Sequence, residues 1–347
     1  MKESPDTLFI SIILPVRNEA KSMGVSLKNI LNQINLVYSF EVIVVDGLST
    51  DDTRYIVKEY QQNHSNIILI DNPEKIVPIG FNKALLIAKG DIIIRIDGHT
   101  VIAPDYVANC VKLLQESEAD NVGGRMNAMG TSRFGKAVAI ATSTPFGVGG
   151  SRFHYSEKEE WVDSVYMGAW KREVFEKIGL FDEELVRNQD DEFNYRLRKS
   201  GGKILLSPAI KSKYTVRSNP TALWKQYFQY GFWKVRVLQK HPGQMSVRQF
   251  IPAAFVASLF FSLILALVNP IFGVLLSLIV GMYLIANLLA SILSAAKKGW
   301  QHFFLLPFVY AILHFSYGLG FLVGLVKFAN RWGDKIGKVS RFETFHK

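Results

Sequence analysis

Three apolar runs in this chain each end in polar groups of the kind that hold a nucleotide. Residues 41–45 end in Asp46, followed by Gly47, Ser49, Asp51 and Thr53. Residues 8–14 end in Pro15-Val16-Arg17-Asn18-Glu19, and residues 91–96 end in Asp97-Gly98-His99. A short β-branched run reads as a parallel strand buried on both faces, and in open α/β sheets ligands bind beyond the carboxyl ends of such strands. Asp46 and Ser49 would serve equally well to turn the chain and cap the next helix. The convergence of three such ends is what favours a site.

The elements that must position these groups alternate. Helical stretches are expected near residues 20–32, 53–63 and 81–89, with a further strand at 66–70. Strands alternating with helices imply βαβ units, whose right-handed crossovers bring the strand carboxyl ends to one edge. The first strand is not followed by Gly-x-Gly-x-x-Gly, and no Gly-x-x-x-x-Gly-Lys-Ser/Thr loop occurs, which excludes a dinucleotide-binding domain and a P-loop ATPase. A nucleotide diphosphate without a glycine loop calls for a metal. Asp97 and His99 are hard and borderline donors compatible with Mg²⁺ or Mn²⁺, the alternative being a surface-turn histidine with no ligand role.

The ordered set Pro15-x-x-Asn18-Glu19, Val45-Asp46-Gly47-x-Ser49-x-Asp51-x-Thr53, Gly80-x-Asn82, Ala88-x-Gly90-Asp91, Asp97-x-His99, Met167-Gly168-Ala169 and Gln189-Asp190-x-Glu192-x-x-x-Arg196 resembles glycosyltransferase family 2. Within it, the membrane-attached glucosyltransferases of succinoglycan exopolysaccharide synthesis are most similar, over most of residues 8–240. The resemblance implies an α/β GT-A fold, a UDP-sugar donor, a divalent metal and an inverting reaction. It assigns donor binding to Pro15, Arg17, Glu19, Asp46, Asn82 and Asp97. Asp46 would read the uracil, and Pro15, Arg17 and Glu19 would wall the uridine pocket. Asp97 would correspond to the first aspartate of an Asp-x-Asp motif, with His99 in place of the usual second aspartate.

The second half of this region carries the acceptor side, implied at Asp163, Gly168, Gln189 and Arg196. Residues 188–192 open a helix whose Phe193 and Leu197 lie one turn apart and face the core. Acidic residues in a first helical turn are favoured by the helix dipole whatever their function. By resemblance Asp190 is the general base, preceded by Gln189 where the family usually has glutamate. Asp191 is the rival, turned about 100° away around the helix.

The chain has 347 residues, of which 49% are hydrophobic, and a formal net charge of +10. Its apolar residues concentrate in runs 251–268, 271–293 and 303–326, each long enough to cross a hydrocarbon core. If all three cross, Lys327, Arg331, Lys335, Lys338 and Arg341 fall on the side that the positive-inside rule disfavours. Gly318, Gly320, Gly324 and His314 instead favour a re-entrant or interfacial third segment. Residues 223–238 mix aromatic and basic side chains, as in a helix lying on a membrane surface. The expected organisation is a GT-A domain at 1–218, an amphipathic interface segment at 219–249, a transmembrane region at 250–328 and a basic tail at 329–347.

Met1 to Thr7 reads as no secretory signal, and a lone Cys110 allows no internal disulfide, which fits a reducing compartment. These features imply a catalytic domain on the cytoplasmic face of a bacterial inner membrane. Membrane lipids are expected partners and nucleic acid is not. Gln229 is followed by Gly231-Phe232-Trp233 without the arginine of the processive Gln-x-x-Arg-Trp motif, so addition of a single sugar is expected. The reading is inverting transfer of one glucose from UDP to a saccharide on a polyprenyl diphosphate. The alternatives are a polyprenyl-phosphate glycosyltransferase and a non-catalytic nucleotide-sugar-binding membrane protein.

Overall fold

The computed structural model describes residues 8–244 and 246–334. In chain order its first elements are β1 (Ile10–Val16), α1 (Ala20–Leu31), β2 (Phe40–Asp46), α2 (Thr53–Asn63), β3 (Ile67–Asp71), α3 (Val77–Ile87), β4 (Ile92–Arg95), β5 (Thr100–Ile102), α4 (Tyr106–Glu116) and β6 (Asn121–Met129). Then come α5 (Arg133–Ala141), α6 (Pro145–Val148), β7 (Glu160–Trp161), β8 (Tyr166–Lys171), α7 (Arg172–Ile178), α8 (Gln189–Lys199) and β9 (Ile204–Thr215). Four long helices follow: α9 (Pro220–Lys240), α10 (Val247–Ala266), α11 (Pro270–Lys298) and α12 (Leu306–Lys327). The described residues divide into two compact units, 8–127 with 156–214 and 128–155 with 215–334.

The first unit is a mixed sheet in the order β3-β2-β1-β4-β8-β6-β9-β5, with β7 paired to β9. The first four strands are parallel, because each is reached through a helical crossover, while β8 runs antiparallel to β4 and to β6. Ile10, Ile12 and Leu14 of β1 and Val42 and Val44 of β2 are buried against Met23, Leu27 and Ile30 of α1. That spacing of three and four residues is one face of an amphipathic helix. Register pairs Val16 with Asp46 and Asp46 with Asp71, so three strand ends finish level on one edge.

The second unit contains α10, α11 and α12, each long and apolar enough to cross a membrane by length and composition. Here α9 lies along α12 at a distance only glycine permits. A methyl group at Gly231 would stand 2.0 Å from the Tyr317 carbonyl oxygen, and one at Gly320 would stand 2.1 Å from that of Phe228. Small residues let helix backbones approach closely within apolar surroundings. Gly318 and Gly324 face the Pro252 and Phe232 carbonyls in the same way, so these glycines serve packing along a continuous α12. His314 is held within this unit by Tyr283 Oη at 3.1 Å and the Phe146 carbonyl at 2.8 Å.

Residues 130–155 leave the sheet and pack with the long helices. Phe146 meets Tyr310 edge-on at 5.0 Å, and the Thr144 hydroxyl lies 3.1 Å from Tyr310 Oη. The aromatic face of residues 223–238 is thus a packing surface for α12, with Phe232 and Trp233 against Phe328. Lys335, Lys338 and Arg341 of the expected basic tail lie outside the described residues.

Candidate functional site

The parallel strand edge gathers the donor-side residues. Asp46 is fully buried at the end of β2, where its carboxylate accepts from the Ser49 amide at 3.0 Å, the Ser49 hydroxyl at 2.5 Å and Arg54 at 2.7 Å. Arg54 also reaches Asp71 at 2.6 Å, joining two adjacent strand ends through one guanidinium. The β2–α2 loop in turn braces the β1–α1 turn. Thr53 Oγ1 accepts the Glu19 amide at 2.8 Å, Asp51 accepts the Ala20 amide at 3.1 Å, and Asn18 accepts the Thr50 amide at 2.8 Å. Neighbouring loops therefore satisfy amide groups that a helix start leaves without intrahelical partners. Pro15 pairs with Val45 within the sheet, and the exposed Arg17 lies over Gly47.

Beyond β4, Asp97 accepts from Arg95 at 2.9 Å. Burial works to raise the Asp97 carboxyl, but the charges of Arg95 and His99 and hydrogen bonds from Arg95 and Tyr166 outweigh it and hold the group below the usual carboxylate range. The Asp97 amide also meets Met167 Sδ at 3.4 Å. His99 Nδ1 lies 3.0 Å from Glu19 Oε1, across the gap between two strand ends. Glu19, expected in the uridine wall, is thus paired with His99.

On the acceptor side, Asp190 stands in the first turn of α8, after Asn188 takes a left-handed conformation at φ 62°. Burial raises the Asp190 carboxyl above the usual range; Arg95 is the strongest opposing charge, and Asp191 pushes it further up. Arg95 therefore acts electrostatically on both Asp97 and Asp190. The Gln189 side chain is buried, and its Oε1 has no hydrogen-bond partner among the described residues. Gly168 has φ 83°, and a side chain there would strike the Trp170 ring at 2.5 Å, so the position requires glycine.

Three expected site residues make contacts with other protein groups. Arg196 holds Glu192 at 2.7 Å and donates to the Ile178 and Leu180 carbonyls. Asn82 is buried and clasps the Phe181 backbone, donating at 2.9 Å and accepting at 3.0 Å. Asp163 is largely exposed and pairs with Arg198 at 2.7 Å.

The donor set fits a divalent cation that takes its remaining ligands from a substrate. Among the described residues no group of three or more His, Cys, Asp or Glu side chains is arranged to hold a metal. Mg²⁺ is commonly held by one or two carboxylates together with substrate phosphates rather than by an all-protein cage. Asp97 could supply one carboxylate to such an ion, and His99 one imidazole.

Arg95, Arg54 and Asp71 received no role from motif reading. A lone arginine within the apolar run Ile92-Ile93-Ile94-Arg95-Ile96 was the available signal, since a charge inside a buried strand requires a partner. Arg54 and Asp71 carry no such signal, because surface charges are common beside a strand end.

The model of the family described as glycosyl transferase family 2 matches residues 11–179. The chain is 32% identical over 260 residues to the succinoglycan biosynthesis protein ExoA of Rhizobium meliloti, covering 74% of this chain and 78% of that protein. It is 29% identical over 327 residues to the dolichyl N-acetyl-alpha-D-glucosaminyl phosphate 3-beta-D-2,3-diacetamido-2,3-dideoxy-beta-D-glucuronosyltransferase of Methanococcus voltae, covering 92% and 98%. The mannosyltransferase PcManGT of Pyrobaculum calidifontis superposes with a TM-score of 0.52 at 20% identity, covering 84% of this chain and 86% of that one, a likeness of fold. The fold is that of GT-A transferases, followed by three apolar helices long enough to cross a membrane. This chain belongs to glycosyl transferase family 2 and is a glycosyltransferase.

Proposed function

We propose that this enzyme transfers one glucose from UDP-glucose, with inversion, to a saccharide carried on a polyprenyl diphosphate at the cytoplasmic face of a bacterial inner membrane. The observation that carries the mechanism is the place of Arg95 between two carboxylates: it donates to Asp97 at 2.9 Å and helps to lower that group, while burial raises Asp190 against the same charge. Environments that push two carboxyl groups apart in this way separate an electrostatic role from a proton-transfer role.

In this reading Asp190 takes the proton of the acceptor hydroxyl as its oxygen bonds to the anomeric carbon. The bond from that carbon to the UDP oxygen breaks on the opposite face. One displacement inverts the centre, and the electron pair leaves on the diphosphate. Asp97 and His99 would hold Mg²⁺ or Mn²⁺, which neutralises charge developing on that diphosphate when bound. Arg95 keeps Asp97 ionised while tempering the rise of Asp190. Asp46, with Arg54 and Ser49 fixing its carboxylate, reads the uracil, and Pro15 and Arg17 line the uridine. Gln189 and Gly168 border the acceptor, where the Gln189 oxygen accepts a sugar hydroxyl.

One relative, named for a dolichyl N-acetylglucosaminyl phosphate, supports a lipid-linked saccharide acceptor. Another, named for succinoglycan biosynthesis, supports a role in exopolysaccharide synthesis. The mannosyltransferase sharing the fold was solved with GDP-Man and Mn²⁺, in keeping with a divalent cation here. Labelled UDP-glucose supplied to membranes containing the enzyme and a lipid-linked saccharide is expected to label a lipid-linked oligosaccharide in the organic extract. Label in an acid-labile lipid-linked monosaccharide would instead assign the lipid phosphate as acceptor.

A further inference from the structure

We propose that Glu19 is a positioning residue for His99: it fixes the imidazole so that a ring nitrogen, in place of a second carboxylate, meets a divalent cation beside Asp97. This inference rests on the reading of Asp97 and His99 as the metal-holding pair.

Glu19 is itself held from two sides. Its amide donates to Thr53 Oγ1 at 2.8 Å, and its Oε2 accepts the Ser22 hydroxyl at 3.0 Å, which leaves Oε1 at 3.0 Å from His99 Nδ1. The two side chains are 25% and 33% exposed, at a rim and not within the core. An ion pair so exposed contributes little to stability. One hydrogen bond, from Ser22 of α1, nevertheless holds this carboxylate, and another, to Thr53 of α2, anchors its backbone. Tyr214 limits the ring from another side, edge-on at 5.4 Å.

Gly98 makes the approach possible. A methyl group there would stand 2.7 Å from Val16 Cγ1 and 3.4 Å from Glu19 Cγ. Its absence lets the segment after β4 come against the end of β1, with His99 on the carboxylate. The tautomer that donates from Nδ1 to Glu19 has its lone pair on Nε2, the form that binds metals. A carboxylate bonded to the other nitrogen of a metal-bound histidine fixes the tautomer and ring orientation and raises the basicity of the ligand.

The test uses the full chain in nanodiscs with UDP and Mn²⁺. Pulsed electron paramagnetic resonance on protein carrying isotopically labelled histidine is expected to show coupling of Mn²⁺ to a histidine nitrogen, lost in His99→Gln. In Glu19→Gln the Mn²⁺ dissociation constant is expected to rise about 10- to 100-fold, the usual cost of losing such a partner. UDP affinity measured in EDTA should change less. Bound Mn²⁺ without nitrogen coupling would overturn the proposal while leaving the metal reading standing, as would unchanged Mn²⁺ affinity in Glu19→Gln. An equal loss of UDP affinity in EDTA would return Glu19 to the uridine wall and also overturn it. Failure of wild type to bind Mn²⁺ with UDP would remove the metal reading itself, and this proposal with it.

Discussion

Arg95 donates to Asp97 at 2.9 Å, and the same guanidinium is the strongest charge opposing the burial-driven rise of Asp190. A proton acceptor works only when deprotonated, so activity falls as pH drops through the pKa of Asp190. Because that pKa is raised, the acid limb of the kcat profile is expected above the range of an ordinary aspartate. Removing the opposing charge in Arg95→Met raises Asp190 further and moves the limb to higher pH. Profiles measured at saturating donor and metal check this; a limb that moves to lower pH would contradict it.

Asp190→Asn keeps the shape of the side chain but removes the carboxylate proposed as the base. Positioned proton transfer is commonly worth about 10²- to 10⁴-fold, so kcat is expected to fall by that order while UDP binding survives. Asp191→Asn is the control. If it were the more damaging change, the base would be misassigned.

Arg54→Met tests the buried end of β2. It leaves Asp46 with its Ser49 donors but no paired charge, at a cost of about 1–3 kcal/mol once the partial exposure of Arg54 is allowed for. Thermal unfolding should show the loss, and calorimetry should show weaker UDP binding. Unchanged stability would mean that Ser49 alone satisfies the carboxylate.

Gly320→Ala places a methyl group 2.1 Å from the Phe228 carbonyl oxygen and forces α9 and α12 apart. Overpacking of this kind costs about 1–3 kcal/mol. Gly281→Ala, which meets nothing within 4 Å, is the control expected to retain wild-type stability. Equal melting of the two variants in nanodiscs would contradict the close-packing account.

The parallel half of the sheet was legible because β-branched runs punctuated by Asp46 and Asp97 leave few alternatives. The expected helix at 53–63 coincides with α2 for the same reason: polar loops bound it on both sides. The expected helix at 81–89 instead begins at Val77, since Pro78 belongs to its first turn, where a missing amide donor is tolerated. β6 was hidden by Gly123 and Gly124, which weaken a strand pattern yet are needed where Gly124 passes the Ile210 carbonyl. Gly320 and Gly324 in α12 read as interruptions because their partners on α9, Phe228 and Phe232, are distant in sequence. The contacts of Arg196 with the Ile178 and Leu180 carbonyls and of Asn82 with the Phe181 backbone were not legible, since both join residues through the folded chain and not through a local pattern.

The most direct test of the central claim is UDP release from UDP-glucose by membranes containing this chain, with and without Mg²⁺ or Mn²⁺ and a lipid-linked saccharide, for wild type and Asp190→Asn. Release that requires both metal and acceptor and vanishes in the variant is the predicted result. Absence of release with every donor tried, despite UDP binding that depends on Asp46, would contradict it.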